Sequence, residues 1–296
     1  MVDIPSMTPN YYIPRRFQGK TLLVTGAATG IGAATAIRAA REGANVVCVD
    51  CKERKLQITL SKIKFEGHNA IAVVADVSKT EDTDRMLTEA VKAYGGIDLA
   101  LNAASVIDGC NPTQLFDLNT HGHLLPNSIH EATDEYWDSV VATNTTGTFK
   151  SLRAELRQML QQNRGGAIVN IGSIACLTGL PGNPAYMASK YAVTGLTRNA
   201  ATEYAPYGIR INSVNIAQID TSIVVKDDKL TGARQKSRNG NSFDGLKTQT
   251  LLNTEDSKHS SANLWEQTAP ILFLLSDDAS DLTGCVCTTD GGWTDD

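Results

Sequence analysis

The chain has 296 residues, 42% of them apolar, 20% charged and 6% aromatic, with 24 Gly and 9 Pro; these proportions exclude collagen, coiled coil and low-complexity tail. Its 27 Lys and Arg against 32 Asp and Glu leave a net charge of −5 with no basic run longer than Arg15-Arg16, so no nucleic-acid partner is expected. No apolar run approaches the roughly 20 residues that span a bilayer, nothing at the amino terminus reads as a signal peptide, and the six sparse cysteines fit free thiols in a cytoplasmic protein without a membrane segment.

Residues 1–18, with Pro5, Pro9 and Pro14, read as an irregular arm lying on the surface or on a neighbour. From Gly19 onward short β-branched runs alternate with helix-length segments. The runs are Thr21 to Thr25, Asn45 to Asp50, Ala70 to Asp76, Ile97 to Asn102, Ala167 to Gly172, Ile209 to Val214 and Gly284 to Thr288. That alternation predicts a doubly wound α/β fold with a parallel sheet of about seven strands and helices on both faces. No linker divides residues 19–296, so a single domain is expected.

The first run leads into Thr25-Gly26-Ala27-Ala28-Thr29-Gly30-Ile31-Gly32 and an Ala-rich helix. Glycines there let backbone approach a pyrophosphate held at the helix amino terminus, where free N–H groups and the dipole favour an anion. The same residues also serve a tight turn with no ligand. Asp50, 24 residues after Gly26 at the end of the second run, suits an adenosine ribose and repels a 2′-phosphate, which favours NAD over NADP. Asp76 ends the third run, where it either meets the adenine edge or caps the next helix. Cys48 and Cys51 lie in and just after a strand, a poor arrangement for zinc or redox chemistry.

Two stretches interrupt the alternation, 105–133 and 221–263, each following a strand on the side where open parallel sheets bind ligands. They are expected to cover a substrate, the second as a lid that closes over the bound ligands. His121, His123 and His130 fall in the first, near Asp117 and Cys110; such histidines are more often solvated or substrate-facing than metal-bound, and no metal is expected. Further on, Tyr186 and Lys190 stand four apart in a helix-compatible run, sharing one face. Ser173 precedes Tyr186 by thirteen residues, just past the fifth strand.

With those residues the chain resembles the short-chain dehydrogenase/reductase family, from Lys20 to Trp293. The matching pieces are the Thr25 to Gly32 loop, Asp76-Val77, Asn102, Asn144, Ser173, Tyr186, Lys190, Leu282-Thr283-Gly284 and Asp290-Gly291-Gly292. The resemblance implies a Rossmann-like fold and hydride transfer between NAD and a small secondary alcohol or ketone. Tyr186 is then the general acid/base, Lys190 lowers its pKa and holds the nicotinamide ribose, Ser173 orients the substrate oxygen and Asn144 holds a relay water. Implied cofactor contacts are Gly26, Thr29, Gly30, Ile31, Gly32, Asp50, Asp76, Val77, Asn102, Ala103, Ala104, Tyr186, Lys190, Ile219 and Thr221. A phenol near pKa 10 is a poor base at pH 7, and a neighbouring ammonium corrects that.

The chain departs from the family where Asn102-Ala103-Ala104-Ser105 replaces Asn-Asn-Ala-Gly and where Ile216-Ala217 replaces Pro-Gly. The first loses an amide that braces the sheet and a glycine beside the cofactor. An NADPH-linked reductase of 3-oxoacyl thioesters and an NAD-binding sensor or scaffold without turnover stand as alternatives. The family assembles through the helices carrying Asn144 and Tyr186 and through the last helix and strand. A homotetramer or dimer is therefore expected, with Leu272 to Leu275 as an apolar patch in the contact.

Overall fold

The computed structural model describes residues 7–114, 117–217, 262–292 and 294. Seven strands, β1 (Thr21–Thr25), β2 (Asn45–Asp50), β3 (Ala70–Val74), β4 (Leu99–Asn102), β5 (Gly166–Ile171), β6 (Ile209–Ile216) and β7 (Val286–Thr289), form one sheet in the order β3-β2-β1-β4-β5-β6-β7. Every neighbouring pair is parallel. The helices are α1 (Gly30–Arg41), α2 (Glu53–Phe65), α3 (Thr80–Tyr94), α4 (Leu118–His121), α5 (Asp134–Val141), α6 (Gly147–Gln162), α7 (Pro184–Tyr204) and α8 (Leu264–Leu275).

Alternating strand residues build two cores. Leu22 and Val24 face α1, α2 and α8, meeting Ile37, Leu56, Ile63 and Ile271, while Leu23 faces the side covered by α3, α6 and α7, with Met86, Leu156, Met159 and Ala200. Burial on both faces is what the nearly unbroken apolar strands require. The order reverses between β1 and β4, so the chain leaves these neighbours in opposite directions and opens a crevice beyond their carboxyl ends.

Strands β3 and β4 are shorter than the apolar runs predict, because side chains take their ladder groups. Ile97 exchanges its N–H and carbonyl with the Gln162 amide at 2.9 and 2.6 Å, and β4 begins at Leu99. The Asp76 N–H donates to the Asp82 carboxylate at 2.8 Å, which ends β3 at Val74.

The arm, described from Met7, lies on its own chain. Glu42, fully buried at the end of α1, accepts from the Ile13 N–H at 3.2 Å and from Arg38 Nε at 3.0 Å, and Arg16 Nε stands 3.0 Å from its other oxygen. Arg38 continues to Thr268 of α8 at 3.0 Å. The Met7 main chain joins the α8 amino terminus, donating to Glu266 and accepting from Asn263. The last helix corrects one expectation. Leu272, Leu274 and Leu275 are buried in the chain's own core, and of the run only Phe273 is exposed, so the three leucines are not available to a partner copy.

Removing one member of a buried ion cluster strands the others without water. Glu42→Ala leaves two guanidinium groups unpaired and is expected to cost about 3–5 kcal/mol. Urea unfolding measures the loss, and limited proteolysis should then cut within residues 7–18, which should resist in the wild type.

Candidate active site

The crevice between β1 and β4 is floored by backbone. Gly26 has φ +71°, and a Cβ there would stand 2.7 Å from the Ala103 carbonyl carbon; a Cβ on Gly32 would stand 2.2 Å from Gly26 O. Both contacts are closer than any side chain tolerates, so glycine is required at each position. Thr25 Oγ1 accepts from the Ala103 and Ala104 N–H groups at 3.2 and 3.4 Å, tying the loop to the end of β4. The amino terminus of α1 then points into the crevice. Its N-cap, Thr29, makes no side-chain capping bond, and the first turn, with Ile31, carries no acidic residue. Free N–H groups, a helix dipole and backbone with no side chain in the way favour an anion at this position.

Asp50 closes one side. Its two carboxylate oxygens accept from the Ala28 N–H at 3.0 Å and the Lys52 N–H at 2.9 Å, which fixes the carboxylate beside the glycine loop. Asp76 turns onto Ser78, accepting from its N–H at 3.0 Å and its hydroxyl at 2.7 Å. Val77 packs against Gly147 so closely that a Cβ there would meet it at 2.7 Å. Burial pushes the Cys48 thiol up to about 12, and burial with Asp50 pushes Cys51 up to about 11. Both stay protonated at neutral pH.

Across the crevice stand the polar residues of β5, α6 and α7. Ser173, buried just past β5, caps a short 3₁₀ turn, its Oγ accepting from the Ala175 N–H at 3.1 Å. Tyr186 and Lys190 lie on α7, which starts at Pro184, a residue suited to a first helical turn. Lys190 is almost fully buried; its Nζ donates to the Ile171 carbonyl at 2.9 Å and stands 5.5 Å from the centre of the Tyr186 ring. Burial lowers its pKa to about 8, against a smaller upward pull from Cys176, so the ammonium persists at pH 7. Asn144 sits in a π-helical turn, Ala142–Thr146, ahead of α6, and its amide clamps the Val106 main chain at 2.8 Å on both sides. The amide also donates to Ser189 Oγ at 3.0 Å, and Ser189 donates to the Tyr186 carbonyl at 2.7 Å. The fold thus gathers Asn144, Ser173, Tyr186 and Lys190 on one side of the crevice and the glycine loop with Asp50 on the other.

The chain matches the short chain dehydrogenase family over residues 20–230. A 3β-hydroxysteroid dehydrogenase of Mediterraneibacter gnavus is 35% identical, over 96% of this chain and 98% of its own length. A cyclohexanol dehydrogenase of an Acinetobacter species is 33% identical, over 94% of this chain and 96% of its own. This chain belongs to the short-chain dehydrogenase family. The crystal structure of a short chain dehydrogenase from Mycobacterium paratuberculosis bound to NAD overlays it with a TM-score of 0.80 at 25% identity, covering 95% of this chain and 100% of that one. Membership makes it an oxidoreductase of alcohols and ketones that uses a nicotinamide cofactor.

The structure accounts for the first departure from the family pattern. Asn102 itself braces the sheet, donating to Glu155 and to Asn170 at 3.0 Å each, and the Ser105 hydroxyl lies 3.2 Å from the Asn144 amide oxygen. Ser189 and Glu155 escaped the sequence reading because nothing in their spacing marks them; only packing brings them to Asn144 and Asn102. Ile219 and Thr221 lie outside the described residues, as does the whole of 221–261. In the first insertion His121 turns back on the Asp117 main chain, its Nδ1 at 3.1 Å, and His123 and His130 are exposed. Among the described residues no three His, Cys, Asp or Glu side chains converge on a metal position, and no helix is long and apolar enough to cross a membrane.

Proposed function

We propose that the chain is an NAD-dependent secondary-alcohol dehydrogenase and ketone reductase, with Tyr186 as general acid/base and residues 19–296 as one catalytic domain. The observation that carries this reading is the buried Lys190 ammonium 5.5 Å from the Tyr186 ring. A positive charge there favours phenolate and brings a phenol of ordinary pKa near 10 into use at neutral pH. A bound nicotinamide would supply the acceptor for the hydride that the carbinol carbon gives up in oxidation. The hydroxyl proton passes to Tyr186, and Ser173 steadies the substrate oxygen while charge develops on it. The Ala175 N–H occupies a lone pair of Ser173 Oγ, which leaves the serine proton to face substrate. Asn144, its side chain spent on Val106 and Ser189, offers its main-chain carbonyl for a relay water; the Thr148 hydroxyl already occupies one lone pair at 2.7 Å.

The glycine cradle and the α1 amino terminus hold the pyrophosphate. Asp76, Val77, Asn102, Ala103 and Ala104 line the adenine and ribose path, and Ile219 with Thr221 takes the carboxamide. Asp50 faces the adenosine ribose, where its charge opposes a 2′-phosphate. NAD should therefore bind at least tenfold tighter than NADP, about 1.4 kcal/mol, a ratio calorimetry reads directly; equal affinities contradict the assignment. The names of both relatives, a 3β-hydroxysteroid dehydrogenase and a cyclohexanol dehydrogenase, support a ring-borne secondary alcohol as substrate. Six cysteines with no disulfide among them support a cytoplasmic location.

Tyr186→Phe removes the acid/base and keeps the ring. Turnover on a cyclic alcohol should fall by about 10² or more while NAD affinity is retained; undiminished turnover overturns the mechanism. A homotetramer or dimer is proposed on the aromatic side chains left exposed on three helices, Trp137 of α5, Phe149 of α6 and Tyr191 of α7, and on β7 as a sheet edge. Light scattering should give two or four chain masses, and a monomer with full activity on dilution excludes the assembly.

A further inference from the structure

In the core behind the crevice lies a polar chain that links Thr197, Asn170, Asn102 and Glu155. The Thr197 hydroxyl donates to the Val193 carbonyl at 2.8 Å, so toward Asn170 it can only accept, and Asn170 Nδ2 donates to it at 2.9 Å. Asn170 Oδ1 therefore faces Asn102, which must present its nitrogen; Asn102 Nδ2 donates to that oxygen and to Glu155 Oε2, at 3.0 Å each. This pattern of donors turns Asn102 Nδ2 toward Asn170 and Glu155. Two acceptors remain at the end of the chain, Asn102 Oδ1 and Glu155 Oε1. Both are buried, and neither has a donor among the described residues.

One proton resolves both. We infer that Glu155 keeps its carboxyl proton in the fold up to the neutral range, donating from Oε1 to Asn102 Oδ1, and that it serves as a positioning residue for the end of β4 beneath the dinucleotide cradle. The acid and the amide then pair reciprocally, N–H to Oε2 and O–H to Oδ1, and no polar atom of the pair is left bare. Asn102 is followed directly by Ala103 and Ala104, whose main chain presses on Gly26 and binds Thr25 Oγ1. A carboxylate in place of the acid sets two electron-rich oxygens against each other one residue from that contact.

The surroundings keep the group neutral. Neither β4 nor β5 carries an ionisable side chain, nor does the π-helical turn. α3 turns Met86, Leu87 and Ala90 to this side, with Asp84 and Arg85 exposed. On α7 Thr197 faces the chain and Lys190 is held by the Ile171 carbonyl. Of the cations on α6, Lys150 and Arg153 reach Ser78 and Thr80, and Arg157 is exposed. Burial accordingly raises the Glu155 pKa from 4.5 to about 7, the Asn102 bond being the opposing influence. With a raised folded-state pKa, the contribution to stability is full below the unfolded value, falls as pH rises through the window between the two values, and is gone above the folded one.

The positioning half rests on the dinucleotide site proposed above; the protonation half does not. In wild-type protein carrying 13C-labelled glutamate carboxyls, one carboxyl should titrate near pH 7, and Glu155→Gln should remove that signal. The Gln variant supplies an N–H in place of the O–H, so its unfolding midpoint should lack the wild-type decline between pH 4.5 and 7. Calorimetry at pH 6 and pH 8.5 should show NAD affinity weakening at least threefold more in wild type than in Glu155→Gln. A wild-type carboxyl titrating near 4.5 overturns the protonation, whether or not the variant folds. Equal pH responses of NAD binding in the two proteins, with the carboxyl titrating near 7, overturn the positioning role. If neither protein binds NAD while the titration and the stability slope appear, the cofactor assignment has failed and the neutral Glu155 stands.

Discussion

The backbone of Gly26 rests against that of Ala103, and the rest of the crevice is arranged around this contact. A Cβ on Gly26 would stand 2.7 Å from the Ala103 carbonyl carbon, so the loop after β1 and the loop after β4 approach as only a side-chain-free residue permits. The approach follows from strand order. β1 and β4 are neighbours, yet their chains depart to opposite faces, and the glycine loop folds over the gap. Once it does, α1 presents its amino terminus to the crevice, Ala28 reaches the Asp50 carboxylate, and Thr25 Oγ1 meets the main chain beyond Asn102. Each of these contacts depends on the loop being pressed down.

On the opposite wall the organising cost is desolvation. Lys190 is buried with one main-chain carbonyl as hydrogen-bond partner, and burial lowers its pKa to about 8. Low-dielectric surroundings weaken the screening of an ammonium held this way, so its field reaches neighbouring groups more strongly than in water. The π-helical turn has a matching role. By widening the helix at Asn144 it lets the side chain reach Val106 and Ser189 together, so the strap after β4 and the first turns of α7 are fixed to one amide. π-turns break the regular hydrogen-bond ladder and commonly mark sites where a helix serves something other than its own regularity.

The departures from the family pattern are instructive about redundancy. Ala103 replaces a bracing amide, and Asn102, Glu155, Asn170 and Thr197 brace strands and helices without it. Ser105 replaces a glycine, and its hydroxyl joins the Asn144 cluster. At the far end of α1 the arm is secured by Glu42 with Arg16 and Arg38. This anchor ties the segment before β1 to α8, and a carboxylate buried between two guanidinium groups specifies one geometry more strictly than apolar packing does.

The strands, their parallel arrangement, the glycine loop and the Ser173, Tyr186 and Lys190 set were legible from residue order alone. They obey local rules: β-branched runs between helix-length segments, glycine where a turn must be tight, and a four-residue spacing that shares a helical face. The sequence determined that Asp50 ends a strand and that Tyr186 and Lys190 point the same way. It left open whether Leu272 to Leu275 would face a partner or the core, and the fold turned three of the four inward. Where β3 stops and β4 starts was likewise decided by Asp82 and Gln162, side chains of the neighbouring helices α3 and α6. The proximity of Ser189 to Asn144, of Glu155 to Asn102 and of Arg16 to Glu42 has no local signature. Each joins separate elements, and only packing of two sheet faces against their helices decides which polar groups lose water together and must satisfy one another.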